Sequence, residues 1–139
     1  MIHKLKAKCS KKQLREIRAF VEKVLKSHAM SDIEAYQIIL AVDEICANLI
    51  IHSHQCNDKE SFEVNIDYKE NKEVKFEIID EGMAFALNQY SEPNLKDIIR
   101  KKKKGGLGLM LVQRIMDQIE FTKRNDKNVC LMIKKFNKD

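Results

Sequence analysis

Glu44, Asn48 and His52 stand four residues apart in AVDEICANLIIHSH, residues 41–54. A helix turns about 100° per residue, so these three share one ridge, a carboxylate, an amide and an imidazole one turn apart. The ridge lies beside, and not opposite, an apolar stripe of Ile38, Val42, Ile45 and Leu49. Ile39, Cys46 and Ile50 form a second stripe, and Leu40 and Ile51 close most of the remaining side. One reading is a polar ridge at the water-facing edge of an amphipathic helix. Against it, Asn is a poor helix-interior residue, and a partly buried carboxylate is costly without a partner or a task. A Glu beside an Asn suits phosphoryl transfer. The amide oxygen can ligate Mg²⁺, and the carboxylate can accept a proton from an attacking hydroxyl.

Two further segments carry chemistry. IIDEGMAF puts Asp80 at the end of an apolar strand with Gly82 two residues on. A carboxylate there can accept a hydrogen bond from an exocyclic amine such as that of adenine, and a glycine lets backbone approach a flat ligand. The same letters also describe an ordinary Asp-x-Gly turn. KKKKGGLGL places Gly105, Gly106 and Gly108 before a helix. Free N–H groups at a helix start, preceded by lysines, form an anion site; a flexible helix entry is the plainer alternative. The run Arg100–Lys104 reads as a solvated loop, a phosphate-contacting edge or a nucleic-acid patch, but it lacks aromatic interleaving and any zinc or helix-turn-helix spacing. His52-x-His54-x-Cys56 does not converge on a metal at helical spacing.

These residues must be held by a scaffold that the hydrophobic pattern outlines. MIHKLKA alternates as a short edge strand. A helix follows in SKKQLREIRAFVEKVLKSHAM, with Ser10 as its cap and Leu14, Ile17, Phe20, Val21, Val24 and Leu25 at helical spacing. Ser31 and Glu34 form a capping-box pattern, so the second helix runs from about Asp32 to His52 or His54. SFEVNIDYKENKEVKFEIID is a hairpin turning at Glu70-Asn71-Lys72. Residues 88–104 read as a loop with a short helical piece around Leu95–Ile99. A third helix follows the glycines, then strands QIEFTKR and VCLMIKKF joined by NDKN. The order β-α-α-β-β-loop-α-β-β, with paired strands, predicts an α+β two-layer sandwich. Its sheet is expected to be mixed but mostly antiparallel, with helices on one face, and residues 1–139 form one domain.

Composition fits that size. The chain has 139 residues, 44% of them hydrophobic and 34% charged, as in a folded domain with one core. The net charge of +5 makes an acidic partner plausible without choosing among nucleic acid, nucleotide and protein. No apolar run approaches the roughly 20 residues of a membrane span, and the start has no signal-peptide core. Cys9, Cys46, Cys56 and Cys130 show no CxxC spacing and read as reduced thiols of a cytoplasmic protein.

Taken together and in order, AVDEICANLIIH, IIDEGMAF and KKGGLGLMLVQRIMDQIEF resemble the N, G1 and G2 boxes of the GHKL ATPase superfamily. The chain looks most like its anti-sigma-factor serine/threonine kinases of bacterial partner-switching systems. The resemblance implies a Bergerat-type sandwich that binds ATP or ADP with Mg²⁺ and phosphorylates an STAS-type anti-sigma-factor antagonist. It also implies possible binding of a sigma factor, a homodimer, and no direct contact with nucleic acid or membrane. Glu44 would be the general base and Asn48 the Mg²⁺ ligand. Asp80, Gly82 and Phe85 would flank the adenine, and residues near 88–104 would form the ATP lid. Lys104, Gly105, Gly106, Leu107, Gly108 and Leu109 would meet the phosphates, Gly106 and Gly108 at a helix N-terminus. Lys104 stands where relatives often have arginine, and Ala84 replaces the second glycine of the usual D-x-G-x-G. His52 matches a histidine common in the family. The alternative is a nucleotide-dependent partner-binding switch without phosphotransfer.

Overall fold

The computed structural model describes residues 2–53, 59–80 and 104–136, with the side chains of 52, 53 and 104–107 left aside. Gly82, Phe85, the expected lid, its Leu95–Ile99 helical piece, His54 and Cys56 therefore lie outside the described residues.

Five strands form one sheet in the order β1-β2-β3-β5-β4. They are β1 (Ile2–Lys8), β2 (Ser61–Lys69), β3 (Glu73–Asp80), β4 (Gln118–Arg124) and β5 (Lys127–Lys135). Among the described residues, three α-helices cover one face: α1 (Gln13–Ser27), α2 (Asp32–Asn48) and α3 (Lys104–Ile115). The two-layer α+β sandwich is as the sequence predicts, and β1 is an edge strand. The sheet differs from the expected mixed one, because all four pairings are antiparallel. The reason is where β5 goes. The chain crosses from β3 through α3 to β4, and β5 then turns back into the gap between them. Strands of like direction are thus never neighbours.

The alternation that predicts the strands also sorts their faces. Phe62, Val64 and Ile66 on β2, Val74, Phe76 and Ile78 on β3, and Cys130 and Met132 on β5 all lie buried against the helices. Cross-strand register sets Ile66 opposite Phe76, and Ile78 opposite Val64 and Cys130. The β4–β5 turn is only Asn125-Asp126, both at positive φ, with Arg124 facing Lys127. That is the backbone of a two-residue type I′ turn, which matches strand twist. Lys127 and Asn128, expected in the turn, therefore begin β5.

Helix α1 buries Ile17, Val21, Val24 and Leu25 on one stripe. Ser10 does not cap it: the N-cap position is Lys12, and the Ser10 hydroxyl instead accepts from the Lys12 N–H at 3.3 Å. At the other end, Ala29 N–H donates to Lys26 O at 3.0 Å and Met30 N–H to Leu25 O at 3.2 Å, with Ala29 at φ 62°. This is a Schellman closure with alanine where glycine is usual. Helix α2 is capped as predicted, the Ser31 hydroxyl accepting from the Glu34 N–H at 3.3 Å. It packs between α1 and α3, so Ile38, Val42, Ile45 and Cys46 are all buried. After Asn48 the helix widens into a π-helical turn, Leu49–Ser53, so the polar ridge does not continue to His52 at α-helical spacing.

Candidate active site

Glu44 and Asn48 sit in the last two turns of α2, on the side facing α3. Glu44 is half-buried and Asn48 is 7% exposed. The Asn48 side-chain nitrogen donates to the Glu44 backbone carbonyl at 2.8 Å and to the Glu44 carboxylate Oε1 at 3.3 Å. The first bond supplies the amide with a partner inside the helix, which offsets the poor fit of Asn at such a position. The second fixes the carboxylate. With its nitrogen committed to Glu44, the amide keeps its oxygen, a hard donor suited to Mg²⁺, as the atom that could meet a cation.

Gly108 of α3 is the third member of this group. A Cβ built on it would fall inside the Glu44 side chain, against Oε1 and Cδ. The glycine is there for close approach and not for unusual backbone, since no described glycine has positive φ. A phosphate contact is the role expected of Gly108 from the sequence, and the structure sets it against Glu44. Helix α3 begins at Lys104, which leaves Lys104, Gly105 and Gly106 in the first turn, where N–H groups have no intrahelical partner. Gly108 lies past that turn, inside the helix, as the surface on which Glu44 rests. Leu109 next to it is 7% exposed and belongs to the core.

Asp80 ends β3 on the sheet face that packs on the helices, and it is fully buried. Its register partners are Phe62 on β2 and Asn128 on β5. Asn128 is also buried, so two polar side chains share the end of an otherwise apolar face. Cys9, fully buried just after β1, completes this surrounding. Its thiol is pushed up to about 11, first by burial and then by the charge of Asp80. Neither Asn128 nor Cys9 stands out in the sequence. The only signal for Asn128 is its place one residue before the apolar run of β5. Cys9 joins Asp80 through a tertiary contact that no local pattern encodes.

Arg18 on α1 reaches across to Asp43, the neighbour of Glu44, at 2.9 Å. This bond ties α1 to α2 through the residue beside the ridge. Both groups are partly solvated, so its contribution to stability is small. Among the described residues, no three His, Cys, Asp or Glu side chains gather as a metal-binding group. Cys9, Cys46 and Cys130 are buried free thiols. No described helix is long and apolar enough to cross a membrane.

Residues 7–134 match the histidine kinase-like ATPase domain. The chain is 30% identical over 114 residues to the serine-protein kinase RsbW of Halalkalibacterium halodurans, covering 78% of this chain and 65% of that protein. It is 30% identical over 104 residues to RsbW of Bacillus pumilus, covering 70% and 64%. The chain thus spans less than two thirds of the length of the curated relatives it matches. Among solved structures, it superposes on the RsbU and RsbW domains of a Mycobacterium tuberculosis protein with TM-score 0.67 at 12% identity, over 96% of this chain and 31% of that one. It also superposes on a chain of the Pseudomonas aeruginosa SiaB–SiaC complex with TM-score 0.63 at 14% identity, over 96% and 89%. At such identities the structural likeness speaks for the fold alone, which is the one the three sequence boxes imply. The family match covers nearly the whole chain, and by it this protein belongs to the histidine kinase-like ATPase family.

Proposed function

We propose that this chain is an ATP-dependent protein serine/threonine kinase and anti-sigma regulatory factor whose substrate is an STAS-type anti-sigma-factor antagonist. The observation that carries this reading is the Glu44 carboxylate, oriented by Asn48 at 3.3 Å and seated on Gly108. A protein that only held nucleotide would have no use for a carboxylate fixed in this way. The RsbW relatives, named serine-protein kinases, support the same reaction class, and the SiaB–SiaC complex supports a protein partner.

In the reaction, a serine or threonine hydroxyl of the partner attacks the γ-phosphorus of ATP. The new O–P bond forms as the bond to the β-phosphate oxygen breaks, and ADP leaves. Glu44 receives the hydroxyl proton. Asn48 holds Glu44 at the angle that transfer requires and offers its oxygen to the cation. The fit to Mg²⁺ rests on that oxygen, and the bound ion would offset phosphate charge. Asp80 accepts a hydrogen bond from the adenine amine, and its burial makes that acceptor selective. The first-turn N–H groups of Lys104, Gly105 and Gly106 face phosphate oxygens.

Calorimetric titration with ATP and ADP, with and without Mg²⁺, tests the pocket. Parental protein is expected to bind ATP in a Mg²⁺-dependent way, and Asp80→Asn is expected to lose that binding. Glu44→Gln is expected to keep nucleotide affinity and to lose phosphotransfer to purified STAS-domain proteins. Parental transfer by Glu44→Gln removes Glu44 as the base. Nucleotide and partner binding without any transfer by the parent assigns the chain as a nucleotide-dependent partner switch.

A further inference from the structure

Helices α2 and α3 leave an apolar trough between them, open to solvent. Ile33, Tyr36 and Leu40 line it from α2, and Leu111 and Ile115 from α3, around a volume of about 640 Å³. Ile33 is 75% exposed, Tyr36 64% and Leu111 42%. Single exposed apolar residues are ordinary on a protein surface, but several sharing one concavity mark an interaction site.

The trough is continuous with the candidate active site. Ile33, Gln37, Leu40 and Glu44 lie at i, i+4, i+7 and i+11, on one ridge of α2. Gly108, Leu111 and Ile115 lie at i, i+3 and i+7, on one ridge of α3. The two ridges meet where Glu44 rests on Gly108. At 1.5 Å per residue, the α2 ridge carries apolar surface from Glu44 to a point about 16 Å away. Among the described residues, the lining is polar at Asp32, which pairs with Lys26, and at Gln37.

We propose that this trough docks the protein that carries the acceptor hydroxyl, by seating an apolar ridge of that protein beside its phosphorylated residue. The inference rests on the kinase reading of Glu44. Among the described residues this is the exposed apolar surface that runs into the catalytic ridge, and a partner lying in it is held alongside the base. A second copy of this chain seated there would cover the path to Glu44. Because the lining is nearly uncharged, binding is driven by apolar area and not by the net charge of +5.

The test uses the full chain with Ile33→Ser, Tyr36→Ser and Leu111→Ser, substitutions at exposed positions that leave the core intact. Each is assayed for ATP affinity, for sedimentation behaviour, and for phosphotransfer to a panel of purified STAS-domain proteins from the source organism. The expected result is a rise of about ten-fold or more in KM for the acceptor in Tyr36→Ser, as for loss of an interface hot spot. ATP affinity and kcat at saturating acceptor stay at parental values, and the acceptor KM changes little with added salt. Parental KM in all three variants overturns the proposal. So does conversion of a parental dimer to monomer with KM unchanged, which would assign the trough to a second copy. If the parent itself binds ATP but transfers phosphate to no member of the panel, the kinase reading has failed, and the docking proposal falls with it. That failure is seen in the parent, before any trough residue is changed.

Discussion

Gly108→Ala is the substitution for which the structure makes the sharpest statement. The added methyl would occupy space now held by the end of the Glu44 side chain, touching Oε1 and Cδ. Two effects on stability oppose each other. Alanine inside a helix is favoured over glycine by about 1 kcal/mol. Overpacking costs about 1–3 kcal/mol when neighbours cannot yield, but here the obstacle is the far end of a flexible side chain. Glu44 can swing aside, at the loss of its 3.3 Å bond from Asn48, worth about 1 kcal/mol. The net change in unfolding free energy is therefore within about 1 kcal/mol of zero, read by urea or thermal unfolding. The effect on chemistry is not offset. A general base contributes about 10²–10⁴-fold, and a carboxylate pushed off its position forfeits most of that. Phosphotransfer in Gly108→Ala is thus expected to fall about 10²-fold or more in a protein as stable as its parent. The double variant with Glu44→Gln should be no slower than Glu44→Gln alone, because both changes act through the same side chain. A Gly108→Ala protein that transfers phosphate at the parental rate would show that Glu44 does not depend on this contact. A loss of stability beyond about 3 kcal/mol would mean that Glu44 cannot move.

Ala29 holds the left-handed position of the Schellman closure at φ 62°, so Ala29→Gly should raise unfolding free energy by about 0.5–1 kcal/mol, and a decrease would contradict the strain inferred there. Stability should fall above the ordinary thiol range of about 9, because burial pushes Cys9 up to about 11 and Cys130 up to about 12. Between these limits the unfolded chain has released protons that the folded chain still binds, so each thiol removes about 1.4 kcal/mol per pH unit. Urea titrations at pH 8, 9 and 10 check the sign, and flat stability over that range would contradict it. Asp80→Asn removes the lesser of the two influences on Cys9, so its thiol should titrate lower than in the parent, as followed by thiolate absorbance, but still above the ordinary value because burial remains.

The fold class, the edge strand β1, the first hairpin and the cap of α2 are legible in the amino-acid sequence. These follow from local rules: period-two alternation, apolar spacing at 3.6 residues, and a serine followed three residues later by glutamate. The Glu44–Asn48 ridge is legible too, since two residues one turn apart on a helix must be neighbours. It did not extend to His52, because the widening of the helix at Leu49–Ser53 changes the spacing on which that alignment depended. The start of α1 was decided by chain entry from β1, which leaves Ser10 short of the capping position held by Lys12. The fully antiparallel sheet was decided by the return of β5 into the gap beside β3, a long-range choice that no window of residues encodes. The role of Gly108 was likewise tertiary. In the sequence it is one glycine of a loop-like run, yet in the folded chain it is the place where α3 makes room for a carboxylate on α2. Cys9 and Asn128 around Asp80 belong to the same class. Local chemistry names the reactive side chains, and the packing of distant elements decides which of them meet.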